Sequence, residues 1–273
     1  MQETRRILET AKYIVLSAGK YIRSRLGGNF QTGYKSCPAD LVTEVDRNSQ
    51  AIIMEALSRH YPDHRLVAEE DSCEVELTPD EQPVWFIDPL DGTTNFVFGI
   101  PFCAVNVAMS VKGSPVLGVT YDPFREELFS AVRGGGSHLN GKSIQVDGIR
   151  NRVAESLIVT GFPSLPHFKD EMWKADYKKI FYKAVDVRAF GSAALELAYI
   201  ACGRLTGYWE VTLRPWDVAA GILLVEEAGG KVSDLCGEKL ELGRHISIAA
   251  SNGLIHDELI ADLGYEKGSK PEV

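Results

Sequence analysis

The chain has 273 residues, of which 45% are hydrophobic and 25% are charged, and its formal net charge at pH 7 is −9. These proportions are ordinary for a globular protein and argue against a disordered chain, and no apolar run approaches the length of a membrane span. The acidic balance argues against a general nucleic-acid binder, because such proteins carry a basic footprint. A chain of this length forms one large domain or two smaller ones that share a core.

Cysteine usage and the first residues of the chain indicate the compartment. The cysteines include no C-x-x-C pair, so they predict reduced thiols and neither a disulfide framework nor a zinc site. Residues 1–19 place apolar side chains at helical spacing between charged ones, as in an amphipathic helix and unlike a signal peptide. We therefore expect a cytoplasmic protein. The five cysteines are Cys37, Cys73, Cys103, Cys202 and Cys236.

The first half of the chain predicts two helices, a loop and a meander of short strands. In chain order these are a helix over 1–19, a mobile loop over 27–40, a helix over 42–60, strands at 65–68 and 84–87, and the meander over 102–146. Within the meander, Asn140-Gly141 is the strongest hairpin signal.

Beyond residue 150 the pattern changes to an alternation of strands and helices. In chain order these are a strand at 157–160, a helix at 168–183, a strand at 185–189, a helix at 191–202, a strand at 205–209, a helix at 216–228, strands at 231–233 and 246–250, and a last helix from Gly253. A meander followed by alternation predicts an α+β half, residues 1–148, joined to an α/β half, residues 149–273.

The segment 85–96, W-F-I-D-P-L-D-G-T-T-N-F, carries the strongest chemical signal. An apolar strand ends in Asp88 and Asp91, whose carboxylates can converge with the carbonyl of Leu90 as oxygen ligands for a hard cation. The backbone N–H groups of Gly92 and Thr93 then begin a helix whose dipole favours an anion. A cation site beside a phosphate seat suits magnesium-assisted phosphate chemistry, although an ordinary Asx turn uses similar residues.

Three further acidic residues stand where such chemistry could use them. Asp46 falls in the first turn of the second predicted helix, Glu69 follows a strand, and Asp217 follows Pro215-Trp216 in the first turn of another helix. Each also has an ordinary reading, as a partner of the helix dipole or an exposed acidic turn. Thr43 fits an N-cap better than a nucleophile. No histidine falls in these segments, so neither a phosphohistidine nor a histidine base is expected.

Taken together, these segments resemble the inositol monophosphatase family. The resemblance rests on D-L-V-T-E-V-D, A-E-E, the segment 85–96 and P-W-D-V-A-A-G-I-L-L-V-E-E-A-G-G, and runs in order from about residue 35 to residue 251. It implies an αβαβα sandwich of alternating helix and sheet layers. It also implies a magnesium-dependent, lithium-sensitive phosphatase that acts on a small phosphate monoester and commonly forms a homodimer.

The resemblance implies two magnesium ions and a third, loosely held ion on the Glu69 side. The first ion would be held by Glu69, Asp88, the Leu90 carbonyl and Thr93, and the second by Asp88, Asp91 and Asp217. Two divalent cations would offset carboxylates that cannot otherwise crowd one pocket. In the implied mechanism, water activated by the first ion attacks phosphorus directly, Thr93 and Asp46 orient it and take its proton, and a second water protonates the leaving group.

The substrate contacts are also carried over from the family. Glu210 would accept the hydroxyls of inositol. Arg188 would either meet a second phosphate or pair with a carboxylate, and the latter is favoured. The remaining substrate contacts would be Lys35, Asp91, Gly92, Thr93, Ser192 and Ala193.

Several alternatives stay open beside inositol monophosphate. Rivals with the same chemistry are fructose-1,6-bisphosphate, alone or as a dual activity, histidinol phosphate and the 3′-phosphoadenosine nucleotides. A different class is a regulatory binding partner of the transcription or ribosome-assembly machinery. A structural calcium-binding protein is disfavoured, because the acidic positions lack the spacing of a calcium-binding loop.

Overall fold

The computed structural model describes residues 2–35, 37, 40–71, 82–162 and 177–265, which form seven α-helices and fourteen β-strands. The helices are α1 Gln2–Arg25, α2 Glu44–His60, α3 Thr93–Val97, α4 Tyr177–Lys183, α5 Ala193–Ala201, α6 Pro215–Glu227 and α7 His256–Leu263. The strands are β1 Thr32–Tyr34, β2 Leu41–Thr43, β3 Arg65–Ala68, β4 Val84–Asp91, β5 Ala104–Val111, β6 Ser114–Asp122, β7 Glu127–Val132, β8 Gly136–Leu139, β9 Lys142–Ile144, β10 Leu157–Thr160, β11 Asp186–Arg188, β12 Gly207–Leu213, β13 Lys231–Ser233 and β14 Ile246–Ser251. None of these helices is both long enough and apolar enough to cross a membrane.

A seven-stranded sheet dominates the first half of the chain. Its strands follow sequence order from β3 to β9, and only β3 and β4 run parallel. The predicted meander is therefore confirmed, with Asn140 and Gly141 at positive φ between β8 and β9. Helices α1 and α2 pack on one face of this sheet, and their buried stripes, which include Ile14 and Ile53, join Trp85 of β4 in one core cluster.

A five-stranded sheet, in the order β11-β10-β12-β14-β13, forms the second half. Its first three strands run parallel and the β12–β14 and β13–β14 pairs are antiparallel. Helices α5 and α6 pack between the two sheets, whereas α7, with α4 beside it, packs on the outer side. The order of layers is helices, sheet, helices, sheet, helices, which confirms the αβαβα sandwich.

Several predicted boundaries differ from those observed. Residues 41–43 pair as β2 with β1, so α2 begins at Glu44, and β1 lies inside the stretch predicted as a loop. Strand β12 runs on to Leu213, past the predicted end at 209. Residues 168–176 of the predicted helix, like Cys73, lie outside the described residues. The other four cysteines form no disulfide.

Candidate active site

Asp88 and Asp91 reach the same side of β4 because the strand contains a bulge. Asp88 lies opposite Asn106 and Asp91 opposite Ala104, so three residues of β4 match two of β5. In a regular strand, residues three apart point to opposite faces, and one extra residue restores them to the same face. The bulge thus brings the two carboxylates to the same side, as the sequence predicts.

Glu69 is brought beside Asp88 by strand register. Ala68 pairs with Ile87 in the parallel β3–β4 ladder, so the next residue on each strand is an acid. Glu69 opens a short 3₁₀ turn over Glu69–Asp71.

Lys35 supplies the positive charge on this side of the cluster. Its Nζ lies 2.6 Å from Oε1 of Glu69 and 2.6 Å from Oε1 of Glu70. Burial works against the charged ammonium, but the two carboxylates outweigh it, so the pKa of Lys35 is raised. The ammonium shows that a cation is accommodated against Glu69.

Asp217 comes from the second half of the chain and lies in the first turn of α6. Nδ2 of Asn106 donates to the carbonyl oxygen of Trp216 over 2.7 Å, and Oδ1 of Asn106 accepts from Thr120 over 2.6 Å. The backbone N–H of Arg214 donates to Oδ2 of Asp217 over 2.7 Å. Because Asn106 is the partner of Asp88 in the β4–β5 ladder, these contacts fix the first turn of α6 beside Asp88.

Asp91 is held by the segment that begins α5. Its Oδ2 accepts from Oγ of Ser192 over 2.5 Å and from the backbone N–H of Ala194 over 2.8 Å. The next residue, Gly92, has φ +89°, and a Cβ there would lie 3.0 Å from the carbonyl oxygen of Phe102. Glycine is therefore required at the point where β4 turns into α3.

Buried Asp46 and half-buried Thr93 form a pair behind the carboxylate cluster. Oδ2 of Asp46 accepts from the backbone N–H of Thr43 over 2.8 Å and from its hydroxyl over 2.5 Å, and Thr43 is the N-cap of α2 as predicted. Oδ1 of Asp46 lies 2.8 Å from Oγ1 of Thr93. Burial raises the pKa of Asp46, while the bonds from Thr43 and Thr93 oppose that rise.

A cleft of about 520 Å³ opens onto these residues. Asp46 is fully buried and does not line the cleft, but it contacts Thr93, which does. Arg188 pairs with Asp186 over 2.5 Å and does not line the cleft. The predicted site residues that line it are Lys35, Glu69, Asp88, Leu90, Asp91, Gly92, Thr93, Ser192, Ala193, Glu210 and Asp217.

The carboxylates repel one another strongly. Burial raises the pKa of Asp88 and Asp217 well above the ordinary value, and the charge of Glu69 raises both further. Burial also raises the pKa of Asp91 to about 6, although Ser192 and the backbone of Ala194 oppose the rise. Keeping these groups ionised at neutral pH requires positive charge in their midst.

The donor set fits a hard divalent cation. Carboxylate and carbonyl oxygens are the ligands that magnesium and calcium prefer, and the cluster combines four carboxylates with the carbonyl of Leu90, whose oxygen lies 3.0 Å from Oγ1 of Thr93. Among the described residues, no three acidic, histidine or cysteine side chains already converge at metal-ligating geometry. A metal held by Glu69 would compete with the Lys35 ammonium for that carboxylate.

Three residues that support the site were not assigned by the sequence analysis. Asn106 anchors α6, as described above. Nδ2 of Asn95 donates to the carbonyl oxygens of Phe102 and Phe190, over 2.9 and 2.7 Å, and Oε1 of Glu196 accepts from the backbone N–H of Phe190 over 2.7 Å. For Asn106 and Glu196 the available signal was a polar residue inside an apolar run, since a buried polar group needs a partner.

Comparisons with known proteins identify the family of this chain. Residues 3–267 match the sequence profile of the inositol monophosphatase family. The chain is 43% identical over 258 residues to an inositol-1-monophosphatase from Synechocystis sp., covering 92% of this chain and 86% of that one. It is 46% identical over 202 residues to the Nus factor SuhB of Escherichia coli, covering 72% and 73%. The structure superposes on the extragenic suppressor protein suhB of Bartonella henselae with a TM-score of 0.84, at 37% identity, covering 96% and 99%.

Proposed function

Because this chain belongs to the inositol monophosphatase family, we propose that it is a magnesium-dependent phosphomonoesterase that hydrolyses inositol monophosphate to inositol and phosphate. The observation that carries the proposal is the convergence of Glu69, Asp88, Asp91 and Asp217 on one cleft. These four acids come from distant parts of the chain. A cationic ligand would account for their assembly, because burial and then the charge of Glu69 raise the pKa values of Asp88 and Asp217 well above the ordinary value.

Two magnesium ions would be held by the residues already described. Glu69, Asp88 and the Leu90 carbonyl would hold the first, with Thr93 beside it, and Asp88, Asp91 and Asp217 would hold the second. When bound, such a pair offsets the carboxylate charge, polarises the phosphate and acidifies an attacking water. The third, loosely held ion of the family would sit on the Glu69 side.

Thr93 and Asp46 would orient the attacking water and receive its proton. Oδ2 of Asp46 is already committed to Thr43, which leaves Oδ1 for Thr93. The Thr93 hydroxyl can therefore donate to Asp46 while its lone pairs accept from the water. A raised pKa makes the Asp46 carboxylate a better base than an exposed aspartate. Direct attack by this water would break the phosphorus–oxygen bond to the leaving group, which a second water would protonate, and would leave no covalent intermediate on the chain.

The substrate would lie between Glu210 and the phosphate-binding N–H groups at the start of α3. The backbone N–H groups of Gly92 and Thr93, with Ser192 and Ala193, would receive the phosphate, and Glu210 would accept a hydroxyl of the leaving group. Lys35 is the only lysine or arginine among the described lining residues. A second phosphate on the substrate would therefore find little positive charge, which favours a monophosphate over fructose 1,6-bisphosphate.

The test is a phosphate-release panel with the purified protein, with magnesium and with EDTA. The panel compares inositol 1-phosphate with fructose 1,6-bisphosphate, histidinol phosphate, 3′-phosphoadenosine 5′-phosphate and 2′-AMP. We expect the highest kcat/KM for inositol 1-phosphate. A higher kcat/KM for another member would keep the mechanism and change the substrate, whereas no magnesium-dependent release would refute the proposal.

A second candidate function is supported by the relatives named Nus factor SuhB. In this role the chain would bind the transcription machinery, with catalysis dispensable. The acidic net charge argues against direct RNA contact, so the experiment should look for a protein partner. Capture of RNA polymerase or a Nus factor from an extract of the source cells, retained by the Asp91→Asn variant, would support this role.

A further inference from the structure

Gly161 makes room for the carboxylate of Glu210. Thr160 pairs with Trp209 in the parallel β10–β12 ladder, so the next residues along, Gly161 and Glu210, lie side by side. A Cβ on Gly161 would stand 2.0 Å from Oε2, 2.1 Å from Cδ and 2.2 Å from Oε1 of Glu210. The backbone of Gly161 does not have positive φ. Glycine is therefore needed here for space and not for conformation.

Tyr208 holds the same carboxylate by a hydrogen bond. Because side chains alternate along a strand, Tyr208 and Glu210 share one face of β12. The Tyr208 hydroxyl donates to Oε2 of Glu210 over 2.6 Å, and Tyr208 is fully buried. The described residues supply no hydrogen-bond donor to Oε1, and Glu210 lines the cleft. Oε1 is thus the oxygen left to accept a hydrogen bond from a ligand.

We propose that Gly161 and Tyr208 are positioning residues that fix the Glu210 carboxylate as a hydrogen-bond acceptor for the leaving group of the phosphate ester. The inference rests on the proposed function and names two residues that set its preference among leaving groups. A bond to Glu210 is formed only by leaving groups that carry an O–H or N–H donor. A site built around such a bond discriminates strongly against analogues without the donor, because its polar group is then left unpaired.

Two phosphate esters distinguish an effect on binding of the leaving group from an effect on catalysis in general. Inositol 1-phosphate carries ring hydroxyls, and 4-nitrophenyl phosphate carries none and has a leaving group that departs readily. In Gly161→Ala, the methyl group displaces the Glu210 carboxylate, so we expect KM for inositol 1-phosphate to rise about 10-fold or more. The kcat/KM for 4-nitrophenyl phosphate should change less than about 2-fold. Tyr208→Phe should also raise KM for inositol 1-phosphate, by a smaller factor.

A double-variant comparison tests whether Gly161 acts through Glu210. Once Glu210→Ala removes the carboxylate, a methyl group at position 161 has nothing to displace, so Gly161→Ala should add no further loss. Gly148→Ala is the matched control, because a Cβ there meets no atom within 4 Å. If Gly161→Ala alone does not fold, folding of the double variant supports the same contact, and failure of both to fold overturns the inference.

The outcomes for the two proposals are distinct. Equal losses on both substrates, or an undiminished effect of Gly161→Ala in the Glu210→Ala background, would overturn the positioning role and leave the phosphatase intact. No magnesium-dependent release from either substrate by the unaltered protein would refute the proposed function and this inference with it.

Discussion

Oγ1 of Thr93 lies 2.8 Å from Oδ1 of Asp46, which joins the start of α3 to the first turn of α2. The other carboxylate oxygen of Asp46 is held by the N-cap residue Thr43. Thr43, the N-cap of α2, therefore also orients the Asp46 carboxylate toward Thr93 and the cleft. In the proposed mechanism this pair positions the attacking water, which makes the hydroxyl of Thr93 important for turnover.

Thr93→Ala should lower kcat by about 10² to 10⁴-fold, the usual range for loss of general acid–base assistance. Thr93→Ser keeps the hydroxyl and should retain most of the activity. Steady-state kinetics on inositol 1-phosphate, with thermal unfolding as a check on the fold, measures both variants. Equal activity of the alanine and serine variants would remove Thr93 from the mechanism.

Lys35→Met should destabilise the protein in EDTA, because Glu69 and Glu70 lose the ammonium that lies between them. The side chains of Lys35 and Glu69 are each 23% exposed, so we expect a loss of about 1–2 kcal/mol, below that of a fully buried pair. The variant should also bind magnesium more tightly, since the ion no longer competes with Lys35.

Thermal unfolding in EDTA and isothermal titration with magnesium measure these two effects. Lys20→Met, at an exposed position of α1, is the matched control for loss of one positive charge. Weaker magnesium binding by Lys35→Met than by Lys20→Met would contradict competition at Glu69.

The layered fold and the positions of the acids could be predicted from the sequence, but their convergence could not be derived from spacing alone. Periodicity predicted β3 and the meander, and capping chemistry predicted Thr43 at the start of α2. The bulge that turns Asp88 and Asp91 to one side depends on pairing with β5. Likewise, the contact of Asn106 with Trp216 joins residues 110 positions apart, and no local pattern encodes such a contact. The resemblance to a known family supplied this long-range information.

Asp217→Asn should raise stability in EDTA by about 1 kcal/mol, because it removes one of the mutually repelling carboxylates. The asparagine oxygen can still accept the backbone N–H of Arg214, so the first turn of α6 should persist. The stabilisation that magnesium gives the unaltered protein should shrink in this variant. Thermal unfolding with and without magnesium measures both effects, and an undiminished magnesium shift would exclude Asp217 as a ligand.

His256 should make the fold sensitive to acid. The ring is fully buried, with Nε2 2.9 Å from Oγ of Ser233 and Nδ1 3.0 Å from Oγ of Ser251. Burial, aided by the charge of Lys231, lowers the pKa of His256 from 6.5 to about 4. The unfolded chain therefore binds a proton below pH 6.5 that the folded chain resists, so stability falls as pH drops from 6.5 to 4.

The loss over that range should reach about 3 kcal/mol, at 1.36 kcal/mol for each pH unit. Urea unfolding at several pH values, compared between the unaltered protein and His256→Gln, isolates this contribution. The pH dependence should be shallower in the variant over this range, and parallel curves would assign the acid sensitivity to other groups.

The most direct test of the account is a magnesium titration of inositol 1-phosphate hydrolysis by the unaltered protein and by Asp91→Asn. The asparagine oxygen can accept from Ser192 and Ala194 as the carboxylate does, so the variant should fold with a similar Tm in EDTA. We expect saturable, EDTA-sensitive phosphate release by the unaltered protein and loss of most of that activity in Asp91→Asn. Equal magnesium-dependent activity of the two proteins would contradict the proposal that this cluster is the catalytic metal site.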